Sequence, residues 1–221
     1  MSIASAVFFL LGSLLAADTH ACPEFKIPQG PWTGSALHQA IQHNDVKTAR
    51  RLMNTATVNE RDSVGDTPLL AALVRSEPLE PAGIADVRRT QALIQAEFTA
   101  RQAIVSALLA KGASATATGA EGVQPLMQLA AFGFSPPVDR RFAQELLDRG
   151  ANVDAADNSG TTALMFAARR GKKDLVRLLL SKQADAAMKN CNGEDAASLA
   201  KAGGHTALAE ELSTRPAKDD H

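Results

Sequence analysis

The chain has 221 residues, with 23 Lys and Arg against 24 Asp and Glu and a formal net charge of -1. A balance this even carries no nucleic-acid signature, and the length suits one elongated domain. Eight Phe, one Trp and no Tyr leave the core to be built from Leu, Ala and Val.

An apolar run from Ala6 to Ala17 opens the chain and then turns polar. It is too short to span a bilayer and matches the apolar region of a secretory signal peptide, although no Lys or Arg precedes it. Cleavage after Ala21 meets the small-residue requirement through Thr19 and Ala21, with Ala17 as the rival position. Residues 1–21 are therefore expected to be a signal peptide and 22–33 an N-terminal extension of an exported protein. Two cysteines, Cys22 and Cys191, would share an oxidising compartment. A bond between them needs the segment 23–34 to run back along the fold. About twelve extended residues reach on the order of 40 Å, so the bond is within reach but not favoured. Lipid anchoring at Cys22 is a further reading, weakened by His20 standing where a lipoprotein signal wants a small residue.

From Ser35 onward a pattern recurs: a turn residue and a Gly, then Thr-Pro-Leu or a variant, then a helix of small residues. A first, degenerate unit opens with Ser35-Ala36-Leu37-His38, and Val46 to Met53 supplies its second helix. The second reads Asp62-Ser-Val-Gly65-Asp-Thr67-Pro68-Leu69-Leu70-Ala71-Ala72, with Thr67 placed to cap a helix and Pro68 at a position where no N–H is needed. Between Thr67 and Gly112 this unit is about two dozen residues too long. The excess, about 76–100, begins Glu77-Pro78-Leu79-Glu80-Pro81 and continues with Val87, Leu93, Ile94 and Phe98 at helical spacing, which predicts a loop plus an extended or extra helix.

A third unit runs through Gln124-Pro125-Leu126-Met127, where Gln124 replaces the usual Thr and predicts a weaker cap. A short excess, Phe132 to Pro137, follows before the helix containing Phe142 to Leu147. The fourth unit, Asp157-Asn-Ser-Gly160-Thr-Thr162-Ala163-Leu164 through Leu180, is the most regular. Gly112 and Gly150 read as helix C-terminal punctuation and not as phosphate loops. The last unit, Asn192-Gly193-Glu194-Asp195 to Leu212, is irregular, and 213–221 is a polar tail.

These motifs resemble the ankyrin repeat, a unit of about 33 residues with two antiparallel helices and a hairpin-like loop. The resemblance implies an all-α helical solenoid of about five repeats over 34–212, with short finger loops and a helical insertion in the second repeat. It also implies a protein that binds another protein, with His38 in the histidine place of the motif as a hydrogen-bonding strut between repeats. Exported bacterial ankyrin proteins of this build resemble two kinds of periplasmic partner protein. One is an immunity or inhibitor protein, and the other is an accessory factor of an enzyme such as catalase. A neighbouring toxin-like reading frame would favour the first, and oxidant sensitivity on deletion the second.

Insertions in solenoids gather on loops of one face that is often the binding face. The candidate partner-binding residues beside the two insertions are Arg88, Arg89, Phe132, Phe134, Arg140, Arg141, Arg169, Arg170, Lys172 and Lys173, with Arg101 nearby, and they point to an acidic partner. The alternative for the cations is a solvated rim, and for the two Phe packing under the inserted helix. No catalytic set is evident: His20, His38, His43, His205 and His221 form no metal-binding pair, and Asp154 and Asp157 stand in a finger loop with no base or nucleophile beside them. No catalytic activity, cofactor or metal is expected. A small-ligand binder or hydrolase with a pocket under the insertion would have to work with Glu77, Glu80, Asp86 and Glu97 alone. An envelope spacer tethered through Cys22 is the remaining alternative.

Overall fold

The computed structural model describes residues 34–74 and 87–214, the side chains of 87–94 excepted. The expected signal peptide, the extension with Cys22, the insertion's loop from 75 to 86 and the tail beyond 214 lie outside the described residues. Those described form ten α-helices and no strand, with one isolated antiparallel bridge between Ala156 and Thr162. They fall into two compact units, one ending at Ser114 and the other beginning at Ala115.

In the first unit α1 (Ala36–Gln42) and α2 (Val46–Leu52) form a helical pair. Ser35 begins α1 without capping it, because its hydroxyl meets His38 Nδ1 at 2.9 Å. The other ring nitrogen of His38, Nε2, lies 3.1 Å from the Asp66 carbonyl, so the fully buried imidazole bridges the first repeat to the second. Asp45 caps α2 by accepting the Thr48 N–H at 3.0 Å, and its hydrogen bonds with Thr48 hold its carboxyl below the usual aspartate range.

Thr67 caps α3 (Pro68–Leu73), accepting the Leu70 N–H at 3.4 Å, with Pro68 in the first turn. The insertion's helical part is an extension and not an extra helix, since α4 runs unbroken over Val87–Ala110 for 24 residues. Its last turns bury Ile104, Val105, Leu108 and Leu109, each worth roughly 1.5–3 kcal/mol. Gly112 then adopts φ +86°, the left-handed conformation that ends a helix without a Cβ penalty.

The second unit stacks three pairs: α5 (Pro125–Ala131) with α6 (Pro136–Asp148), α7 (Ala163–Arg169) with α8 (Lys173–Ser181), and α9 (Ala196–Ala202) with α10 (Thr206–Ser213). First helices pack on first helices, α5 on α7 on α9, and α6 packs on α8. Ala130, Ala167 and Ala200 are fully buried, and their small side chains let these helices approach closely.

The caps follow the sequence. Thr162 caps α7 through the Met165 N–H at 3.4 Å, and Asp195 caps α9 through the Ser198 N–H at 2.7 Å. Gln124 makes no cap bond, and its Oε1 is buried without a partner among the described residues. One helix end was not legible: where α6 ends at Gly150, φ +89°, the equivalent place after α8 holds Gln183 at φ +64°. Its N–H bonds to the Leu180 carbonyl at 3.0 Å, so it takes the glycine conformation with a side chain attached.

Candidate partner-binding surface

Two of the turns that join a first helix to its second in the second unit, those at Gly133 and Gly171, are locked by close approach. Gly133, Gly171 and Gly204 take positive φ at equivalent places. The residue after Gly171 and the residue after Gly204 each cover the turn glycine of the preceding pair, Lys172 over Gly133 and His205 over Gly171. A Cβ at Gly171 would overlap the His205 ring, and one at Gly133 would lie 2.6 Å from both Asp139 carboxylate oxygens.

Lys172 is therefore not a free surface cation. Its Nζ donates to Asp139 Oδ2 at 3.1 Å and to the Leu129 carbonyl at 3.0 Å, and the other oxygen of Asp139 accepts the Phe134 N–H. The Asp139 side chain is 4% exposed and that of Lys172 21%. Burial pushes Lys172 below the usual lysine pKa, outweighing the attraction of Asp139. Phe134 is likewise engaged: its ring lies 5.6 Å from Phe142, tilted by 59°, inside the second unit. Phe132, the residue that ends α5, is half-buried.

The ion pair sets the first turn of α6 beside the turn between α7 and α8. Arg140 and Arg141 follow Asp139, while Arg169, Arg170 and Lys173 flank Lys172. Arg140, Arg141, Arg170 and Lys173 are exposed and Arg169 is half-buried. Arg141 places its guanidinium carbon 4.7 Å from the Phe142 ring centre. Among the described residues none of these five cations has a carboxylate within ion-pair distance. The exposed acid next in sequence is Asp174. In the first unit Arg88 and Arg89 belong to the opening turn of α4, and their side chains lie outside the described residues. Arg101 is 6% exposed and lies 3.6 Å from Glu97, so it belongs to the interior and not to an edge.

The finger loops repeat one hydrogen-bond design. Asp157 Oδ1 accepts the N–H groups of Ser159 and Thr161 at 2.9 Å each, and its carbonyl accepts that of Gly160. Asp62 does the same for Val64, Asp66 and Gly65, and Asn190 for Asn192, Glu194 and Gly193. The third loop starts with Gly119, which has no side chain to close it, and there Glu121 is at φ +56°. Neighbouring loops are tied together: Asn158 N–H bonds to Glu121 O at 2.8 Å, Cys191 N–H to Ser159 O at 2.8 Å, and Asp185 N–H to Asp154 Oδ1 at 2.8 Å. Asp154 and Asp157 are thus loop-building residues. Cys191 is disulfide-bonded, which the sequence reading did not favour; Cys22, the sequence's other cysteine, lies outside the described residues.

Sequence reasoning missed Asp139 as the anchor of the turns. A signal for it existed: Lys172 stands after Gly171 where His205 stands after Gly204, so this place covers a preceding turn and needs a partner there. Among the described residues no three His, Cys, Asp or Glu lie together in a way that could hold a metal ion. No described helix is long and apolar enough to cross a membrane.

A family model described as ankyrin repeats in three copies matches residues 93–190 and again 126–219. Over 110 residues, 49% of this chain, the sequence is 37% identical to the fruit fly (Drosophila melanogaster) ankyrin repeat and KH domain-containing protein mask, of which it covers 3%. Over 93 residues, 42% of this chain, it is 39% identical to ankyrin repeat domain-containing protein 63 of the mouse (Mus musculus), of which it covers 23%. The chain thus spans only a small part of the length of these curated relatives.

Proposed function

The chain belongs to the ankyrin-repeat family, and on that premise we propose that it is an exported, periplasmic protein that works by binding a partner protein and not by catalysis. One observation carries this reading: the buried His, Asp and Lys side chains among the described residues are tied into the scaffold, and the loops and turns they hold keep a fixed shape. His38 bridges two repeats, Asp157 closes a loop, and Asp139 and Lys172 hold each other and the turns around them. What remains outward is a preformed surface, the usual means by which repeat proteins recognise macromolecules. Export is supported by the apolar leader pattern and by the disulfide at Cys191, a bond that persists in oxidising compartments.

Two roles fit such a protein. As an immunity or inhibitor protein it would cover a toxic effector; as an accessory factor it would support a periplasmic enzyme such as a catalase. The test is a crosslinked pull-down from the envelope fraction, comparing wild type with a variant whose segment 76–100 is replaced by a regular repeat turn. A stoichiometric protein partner supports the reading and names the role, and its loss with the replacement places the contact at the insertion. No partner in either sample sinks it.

A further inference from the structure

Resting on that protein-binding reading, we propose that the partner presents an acidic, carboxylate-rich segment to the turn edge formed by Arg140, Arg141, Arg169, Arg170 and Lys173. The buried Lys172–Asp139 bond fixes the register in which α6's first turn meets the α7–α8 turn, so the five cations are gathered before any ligand arrives. Each lacks a described carboxylate within ion-pair distance, as do exposed Arg50, Lys111 and Lys201, whereas three other exposed cations find one. Arg149 pairs with Glu145, Lys182 with Asp148 and Arg177 with Glu211. Four of the five are arginines, whose planar guanidinium suits the bidentate grip of a carboxylate. Half-buried Phe132 and exposed Pro136 and Pro137 border them and offer apolar contact to the same segment.

Charge also separates this partner from an anionic membrane or a nucleic acid. An extended polyanion meets the whole chain, whose net charge is -1. A short acidic segment seated on the edge feels chiefly the charges nearest to it, and along the chain these five cations have one exposed acid directly beside them, Asp174.

The experiment uses the full exported chain with a photo-crosslinking p-benzoylphenylalanine in place of Ser135, which is exposed and makes no side-chain cap bond. A second chain carries it in place of exposed Ala187 on a finger loop. The expected result is an adduct from position 135 to a peptide rich in Asp and Glu. It should disappear in the combined variant Arg140→Gln, Arg170→Gln, Lys173→Gln and return with Arg140→Lys, Arg170→Lys. Unchanged thermal melting confirms that the triple variant is folded. With the captured protein purified, the triple variant should weaken the Kd about tenfold at low salt, a gap that narrows at high salt.

An adduct from position 187 alone, or one from 135 that survives the triple variant, overturns the acidic-edge proposal while leaving protein binding intact. Adducts to lipid or nucleic acid at 135 overturn it in favour of those surfaces. Adducts from neither position, with no captured protein in the envelope pull-down, remove the protein-binding reading as well.

Discussion

Replacing Lys172 by Met keeps most of the buried stem but removes the ammonium that faces Asp139 and the Leu129 carbonyl. Removing one partner of a buried pair costs about 3–5 kcal/mol when the other is left uncompensated. Here the stranded Asp139 still accepts the Phe134 N–H, and the 21% exposure of Lys172 marks a path by which water can reach it. The expected loss is therefore about 2–3 kcal/mol. Asp139→Asn keeps an acceptor for Phe134 but turns an amide toward the ammonium, and should cost a similar amount. The double variant leaves no buried charge, so it should lose no more than either single one, giving a coupling of about 2 kcal/mol.

Urea unfolding at neutral pH, followed by far-UV circular dichroism, measures all four corners of the cycle. The pair also sets a pH dependence. Because burial lowers the folded pKa of Lys172 from its ordinary 10.5, the unfolded chain binds more protons between the two values, and this group makes stability rise with pH across that window. Lys172→Met lacks the rise, so the gap between wild type and variant should widen as the pH climbs through that window toward 10.5. A loss below about 0.5 kcal/mol for Lys172→Met, or losses that simply add in the double variant, would refute the argument.

Gln124→Thr should gain about 0.5–1 kcal/mol by giving α5 the cap that Thr67 and Thr162 give their helices, read as a higher urea midpoint at unchanged slope. Gln183→Gly should also stabilise, by about 0.5–1 kcal/mol, since it relieves a side chain held at φ +64°; a loss in the same urea titration would show that the Gln side chain contributes more than the strain. Gly171→Ala should destabilise by about 1–3 kcal/mol, and His205→Ala in the same chain should recover part of it by removing the ring that the new methyl meets. If His205→Ala recovers nothing, backbone strain alone accounts for the loss.

The sequence revealed most of the fold because each repeat announces itself locally. Thr67 and Thr162 cap the helices whose starts they mark, Gly112 and Gly150 end helices as punctuation residues do, and His38 bridges repeats as its place in the motif implies. The insertion was legible as helical, but whether it fused with α4 depended on the absence of a breaker after 87, which periodicity alone weighs poorly. Gln183 was invisible for the opposite reason, since the backbone bonds that end α8 place the left-handed turn on a residue that does not prefer it.

The surface was harder to read, because charge type is visible in a sequence and charge pairing is not. Lys172 and Arg101 look like the arginines beside them, yet both are drawn inward, Lys172 by Asp139 across 33 positions and Arg101 beside Glu97 within one helix. The sequence offers the Phe134 ring as a docking group or as packing under the inserted helix; it packs against Phe142 of α6 instead, beside the Asp139 bond to its N–H, which no local pattern encodes.

The loops closed by Asp62, Asp157 and Asn190 determine when conformational freedom is given up. Fixing a residue's backbone removes on the order of 1–2 kcal/mol of entropy, and these loops take that loss while the chain folds, each through a single side-chain oxygen shared by two amides. A molecule arriving at them later has only its own groups to immobilise, so its residence time depends on the fit it makes and carries no charge for organising the surface it meets.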